Sequence, residues 1–414
     1  MLSTIISLDS IWFGILLLYI VTGYFAFGEG LLPESVNSIA LYGFLCFSVF
    51  AVTYKSKVKI TGFLLWGMVC LVIGFLARFY APSFSGTGAT YYALIVNFVL
   101  VSLLTQIPWN TVRFNRVMKA FSLSAAGLIL VLAITGRLQD NSESGRLGQE
   151  LTGNANILGA MLLVGAIYTI WLLISSNSKR TKIVSVILLM LIYCGMFFSG
   201  GRKYIVLPIV FLYVLLAHKV DASGRSHFIR STLIVVIVVL FVYWLINTPF
   251  FFNTIGSRFE SFFNLFQEDA SADGSTLIRK EMIILGWKKW LKSPIWGYGF
   301  DSFKYYNESV TGHSYYSHNN FVELLYNQGL IGFCAYYSIY VYLFIKALKM
   351  NRRSLSRGFI FAILITMLAF DIVEVTYSIT PTQFMLFFAF YHLQAGCHEM
   401  DGKKTIEYPQ KQIV

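Results

Sequence analysis

Five short basic clusters, each between two apolar runs, constrain this chain more than any other feature. They are Lys55–Lys57–Lys59, Arg113–Arg116–Lys119, Lys179–Arg180–Lys182, Lys219–Arg225–Arg230 and Lys346–Lys349–Arg352–Arg353–Arg357. The runs between them are long enough to cross a bilayer, which takes about 20 apolar residues in a helix. Positive charge held on the cytoplasmic side is how a polytopic membrane protein fixes its orientation. The clusters therefore name an inside and an outside. Of the 414 residues 57% are hydrophobic and 13% charged, more apolar surface than a soluble core can hide.

The pattern predicts an all-α polytopic membrane protein with about twelve transmembrane helices. They fall near residues 11–28, 36–54, 60–80, 90–108, 118–136, 156–175, 182–198, 203–218, 230–248, 320–347, 357–374 and 379–396. Residues 1–248 carry nine of them, 249–319 form one large extracytoplasmic loop containing short helices, 320–396 carry three more, and 397–414 read as a cytoplasmic tail. The first run lacks a basic n-region and reads as a retained span. With the clusters and tail inside, the net charge is +15 inside and −3 outside, against +12 for the whole chain. The basic pI is thus a topology signal. A dense basic patch interleaved with aromatics is missing, so nucleic acid is not an expected partner. Cys46, Cys70, Cys194, Cys334 and Cys397 show no paired spacing, which implies neither a disulfide framework nor a metal site.

Polar residues collect on the predicted outer face. Segment 136–156 is rich in Gly and Asn and carries Arg137 and Arg146. Arg202 ends the short turn Ser199–Gly200–Gly201, where it is either a snorkelling arginine or an anion clamp facing the bundle. Arg279 invites the same comparison; it opens a stretch to Ser293 that reads as an interfacial helix anchored by Lys288, Lys289 and Lys292. His318 lies eleven residues before Gly329, about three helical turns, and Gly329 with Gly332 would let a neighbouring helix approach closely. Asp371 and Glu374 are one turn apart, with Glu323 at similar depth. Such carboxylates should pair with cations, Arg202 or Arg279 being the candidates, or serve as a base or proton site.

At this point the motifs resemble a known family. His318–Asn319, nine residues, Gly329, two residues and Gly332 is similar to the His-[Asn/Ser/Gln]-x9-Gly-x-x-[Gly/Thr/Tyr] signature of the O-antigen ligase and polymerase superfamily. Gly145–Arg146–Leu147 with Gly153–Asn154–Ala155–Asn156 and Leu158–Gly159 resembles its Gly-Arg…Gly-Asn-Pro-Asn…Leu-Gly stretch. Ser199–Gly200–Gly201–Arg202 resembles its Ser-Gly-Ser-Arg turn, and Arg279 followed by Pro294–Ile295–Trp296–Gly297–Tyr298–Gly299 its Arg…Pro-x-x-Gly-x-Gly segment. The matches run in order over residues 136–335. Ala155 stands for the usual Pro and Gly201 for a Ser, both at turn positions.

The resemblance implies a GT-C-like, metal-independent, inverting glycosyltransferase without a cofactor. It would sit in the bacterial cytoplasmic membrane, with its site on the periplasmic face. Its donor would be a glycan on undecaprenyl diphosphate and its acceptor another glycan, with chain-length-regulator and flippase proteins as further partners. On that reading Arg202 and Arg279 hold the diphosphate, because guanidiniums bind phosphates bidentately and stabilise leaving-group charge. His318 is the candidate base. Arg146, Asn156, Asn319, Asp371 and Glu374 are the candidate substrate-binding residues. The near-neutral outer loop favours a polymerase acting on lipid-linked repeat units. The alternatives are a ligase acting on lipid A–core and, from another class, a transporter or flippase.

Overall fold

The computed structural model describes residues 7–26, 31–55, 58–138, 147–148, 154–221, 225–248 and 274–400. Among the described residues it is all-helical, with a lone bridge between Ala26 and Leu32. In chain order the helices are α1 (Leu8–Phe25), α2 (Glu34–Lys55), α3 (Gly62–Arg78), α4 (Gly88–Leu104), α5 (Thr111–Ile134), α6 (Ala155–Ser175) and α7 (Lys179–Ser199). There follow α8 (Arg202–Asp221), α9 (Arg225–Ile246), α10 (Gly274–Trp290), α11 (Phe303–Thr311), α12 (Asn320–Lys349), α13 (Leu355–Val373) and α14 (Thr380–Met400). Seven of them, α1, α2, α5, α6, α7, α12 and α13, are long and apolar enough to cross a membrane by length and composition; α3, α4 and part of α9 are shorter apolar helices. Each of the twelve expected spans overlaps one helix, and of these helices α8 and α14 belong to neither group.

Helix ends follow local chemistry. Ser7, Thr61, Asn110, Asn154 and Ser178 cap α1, α3, α5, α6 and α7 with side-chain oxygens, satisfying backbone N–H groups that a first turn leaves open. The α7–α8 break falls at Gly200, whose φ of +65° closes α7 with a left-handed cap. Ala155 is the first residue of α6, a place where Pro suits a helix equally well.

The most enclosed helix is α6, and glycines let its neighbours close in. A side chain on Gly159 would collide with the Tyr204 ring of α8, and one on Gly165 with Ala125 of α5. Polar pins cross the core: Trp66 donates to the carbonyls of Ala335 and Tyr336 at 3.0 Å, and Asn97 to that of Ser378 at 2.6 Å. By contrast α9 presents Leu233, Ile237, Leu240, Phe241 and Trp244 outward, the surface a lipid-facing helix needs.

α12 departs from the expected continuous helix. Gly329 has φ +61° and ψ −163° and breaks it. The backbone groups freed there are taken by segment 294–299: Tyr298 and Gly299 donate to the carbonyls of Tyr326 and Asn327, and Leu330 donates to that of Pro294, each at 2.8 Å. A side chain on Gly329 would strike the Ile295 carbonyl, and one on Gly297 the Tyr326 carbonyl. The close approach at Gly329 is therefore by a loop backbone, not by a neighbouring helix, and Gly332 faces Gln328 of its own helix. The Pro-x-x-Gly-x-Gly segment and the glycines after His318 form one structural unit.

Candidate active site

His318 stands just before the N-cap of α12 in a left-handed conformation, φ +56°, uncommon for a residue with a side chain. Its neighbours are clamped. Asn319 caps α12 by accepting the Val322 N–H at 2.9 Å, and its amide donates to the Ile372 carbonyl at 2.9 Å. The Ser317 N–H donates to Glu323 at 2.8 Å. The Asn319 side chain thus caps α12 and ties its start to the end of α13, holding the backbone beside the histidine. The His318 ring lies on Tyr316, centroids 4.3 Å apart, with Nδ1 buried and unpartnered. Burial, aided by the Arg279 and Lys203 cations and opposed by Glu374, pushes the imidazole pKa down to about 4. It is neutral near pH 7.

The cation that pairs with Glu374 is Lys203, not Arg202 or Arg279 as the sequence suggested. Lys203 and Glu374 form an ion pair with side chains 9% and 6% exposed, joining the first turn of α8 to the residue that closes α13. Burial raises the Glu374 carboxyl, but Lys203, with help from His318 and Tyr316, outweighs it and holds the group below its usual range. Tyr316 is shifted the other way, by burial and by the Glu374 charge. Sequence reasoning missed both Lys203 and Tyr316; the signal for Lys203 was its place beside Arg202 in a turn too short to let it escape.

Among the described residues Asp371 and Glu323 also have no cation partner. Asp371 is fully buried and accepts from Tyr337 at 2.9 Å and from Thr376. Glu323 accepts from Asn327 as well as Ser317, and Asn327 in turn receives the N–H groups of Ser302 and Phe303 at 3.0 Å. Both carboxylates are satisfied by hydroxyl, amide and backbone donors, which explains how they are buried without a counter-charge. Arg279 is half-buried on α10 and makes no ion pair or hydrogen bond among the described residues, while its charge is felt at His318 and Tyr316. Arg202 opens α8, half-buried. Arg146 lies outside the described residues.

Two cavities meet beside this group. The polar one, about 250 Å³, is lined by Asn156, Tyr204, Asp301, Tyr316, Glu323 and Glu374 among others. Asp371 is absent from its wall. The apolar one, about 480 Å³, lies between α1, α2, α4, α6 and α14, with Leu41, Val96, Met161, Val164 and Phe384 in its lining. They share Ile157, Ala160, Ser378 and Ile379, so one amphipathic molecule could occupy both. The chemistry on hand is a cluster of cations, a neutral imidazole, and a pocket of carboxylates, amides and phenols.

Residues 164–337 match the O-antigen ligase family. The match supports the O-antigen ligase and polymerase superfamily, and with it an enzyme of that general type, in a bacterial membrane, acting on surface polysaccharide. The region runs from within α6 to Tyr337 of α12. It takes in Arg202, Arg279, the 294–299 segment, His318 and both glycines, and leaves Arg146, Asn156, Asp371 and Glu374 outside. No curated protein matches the chain.

Proposed function

We propose that this protein is a surface-polysaccharide polymerase of the O-antigen type. It transfers a glycan from undecaprenyl diphosphate to the acceptor sugar of a second lipid-linked unit, on the outer face of the cytoplasmic membrane. The observation that carries this reading is the arrangement around His318. The cations Lys203 and Arg279 act on His318, and a polar cavity with an apolar extension adjoins Tyr316 and Glu374. A diphosphate suits the first, a hydroxyl-rich sugar the second and a polyprenyl tail the third.

In the step envisaged, the acceptor oxygen attacks the anomeric carbon of the donor and the bond from that carbon to the diphosphate oxygen breaks. The acceptor proton passes to His318, and undecaprenyl diphosphate leaves with both electrons of the broken bond. Attack opposite the leaving group inverts the anomeric centre. Arg202 and Arg279 stabilise the charge growing on the diphosphate. An imidazole with a pKa of about 4 is a weak base, but part of that depression comes from Arg279 and Lys203. A bound diphosphate offsets those charges, so donor binding raises the basicity of His318 at the moment it is needed.

The test uses purified protein in liposomes with a lipid-linked repeat unit as sole substrate. A ladder of products is expected, unaffected by chelator. No ladder, with capped product once lipid A–core is added, would establish the ligase; silence in both would favour a transporter. Chelator-sensitive activity restored by magnesium would overturn the metal-free step.

A further inference from the structure

At the opposite end of the bundle from His318, where the basic clusters lie, the first turn of α13 holds a guanidinium with no acceptor. Arg357 is 8% exposed, and its Nε and Nη1 are buried without a hydrogen-bond partner. Its Cζ lies 5.3 Å from the centroid of Phe361. That contact uses the ring face and leaves the in-plane N–H donors unsatisfied. Phe361 also meets His218 of α8 and Phe344 of α12, at 6.1 and 5.6 Å between centroids, so Arg357 lies where three helices converge. His218 is pressed on Gly358 and its Nε2 reaches the Ser354 carbonyl at 3.1 Å.

A buried cation without acceptors is costly, and its surroundings favour one remedy. Ser354, the N-cap of α13, makes no side-chain capping bond, so the positive end of the helix dipole adds to the guanidinium. Lys346, Lys349, Arg352 and Arg353 are exposed nearby in sequence, and residues 346–360 contain no acid. Along α12, Val341, Phe344, Ile345 and Leu348 are exposed, an apolar flank at the depth of acyl chains. Basic sites between helices at this leaflet suit acidic headgroups. We propose that the junction where α8, α12 and α13 meet at Phe361 binds an anionic phospholipid, with its phosphate on Arg357 and its acyl chains along α12. This site is remote from the catalytic group and does not depend on the reading of it.

The test is native mass spectrometry of the full-length protein released from micelles doped with phosphatidylglycerol or phosphatidylcholine. Selective retention of phosphatidylglycerol is expected, weakened roughly tenfold in Arg357→Gln, as loss of a charge-assisted contact implies, and unchanged in Lys179→Gln, at an exposed basic residue that opens α7. Equal retention of the two lipids by the natural protein, or undiminished retention by Arg357→Gln, would overturn the proposal. If Arg357→Gln fails to fold, Arg357→Lys keeps the charge without the planar fork and should retain the lipid at an intermediate level; full retention there would also count against it. Displacement of the lipid by inorganic phosphate, with equal thermal protection from phosphate alone, would assign the site to a soluble anion and overturn the lipid.

Discussion

Lys203 and Glu374 form a buried ion pair that ties the first turn of α8 to the end of α13, next to His318. Removing one partner of such a pair leaves an uncompensated charge, at a cost of about 3–5 kcal/mol. Lys203→Ala should therefore lower the unfolding midpoint sharply. The double variant Lys203→Ala, Glu374→Ala should recover much of that loss. Thermal unfolding of the four proteins in detergent gives the coupling; additive losses would mean that the pair is not a unit.

Gly329 and Gly332 look equivalent in sequence but should not respond alike. Gly329 occupies a backbone conformation open essentially only to glycine, and Gly329→Ala should cost about 1–3 kcal/mol from backbone strain alone. It should also detach segment 294–299 and abolish transfer. A methyl at Gly332 has the Gln328 Cβ in its path, an atom fixed by its own backbone, so Gly332→Ala requires a small local shift of α12. It should cost stability but leave segment 294–299 docked and transfer largely intact. Equal losses in stability and turnover for the two would refute the docking role given to Gly329.

The helical build was legible because apolar runs, basic clusters and caps are local properties, and each expected span overlaps a helix. The site was legible as a set of residue types but not as a set of partners. His318 to Gly329 looked like three turns of one helix, yet His318 precedes the N-cap and Gly329 breaks the helix. Neither event leaves a signal in spacing. Asp371, Glu323 and Asn319 looked available for substrate or cations. Asp371 and Asn319 each have a partner from a segment distant in the chain, Tyr337 and Ile372, while Glu323 accepts from its neighbours Ser317 and Asn327 and still lines the polar cavity. Only the tertiary fold decides such partnerships. The expectation for Arg146 falls on residues outside those described.

Asp371 discriminates a structural carboxylate from a substrate-binding one. Its oxygens accept from Tyr337 and Thr376, and Asp371→Asn replaces one acceptor by a donor facing those hydroxyls. A stability loss of about 1–3 kcal/mol is expected, with KM for donor and acceptor unchanged in the folded fraction. A raised KM with unaltered stability would restore a substrate role.

The depressed imidazole makes two pH dependences. In the free protein His318 stays neutral down to about pH 4, whereas an unfolded histidine titrates near 6.5. Between these values the unfolded chain binds more protons, so this residue's contribution makes stability fall as pH drops through that window. For turnover, kcat/KM reports the free enzyme and kcat the bound complex. If bound diphosphate offsets Arg279 and Lys203, the acid limb of kcat should lie at higher pH than that of kcat/KM. Coincident limbs would rule out activation of the base by the donor.

Arg202 and Arg279 carry the boldest claim, that two guanidiniums hold the leaving diphosphate. Arg279 makes no ion pair among the described residues, yet its charge acts on both His318 and Tyr316, which suits a group that waits for an anion. A lysine would keep the charge but lose the bidentate fork. Arg279→Lys and Arg202→Lys should each lower kcat by roughly tenfold or more, since charge-assisted bonds to phosphate are worth about 1.5–3 kcal/mol, while membrane insertion and unfolding midpoint stay near those of the natural protein. Arg279→Ala should abolish transfer. Full activity in Arg279→Lys would show that a point charge suffices and that the fork is not part of the step. Full activity in Arg279→Ala would move the diphosphate to Arg202 and Lys203.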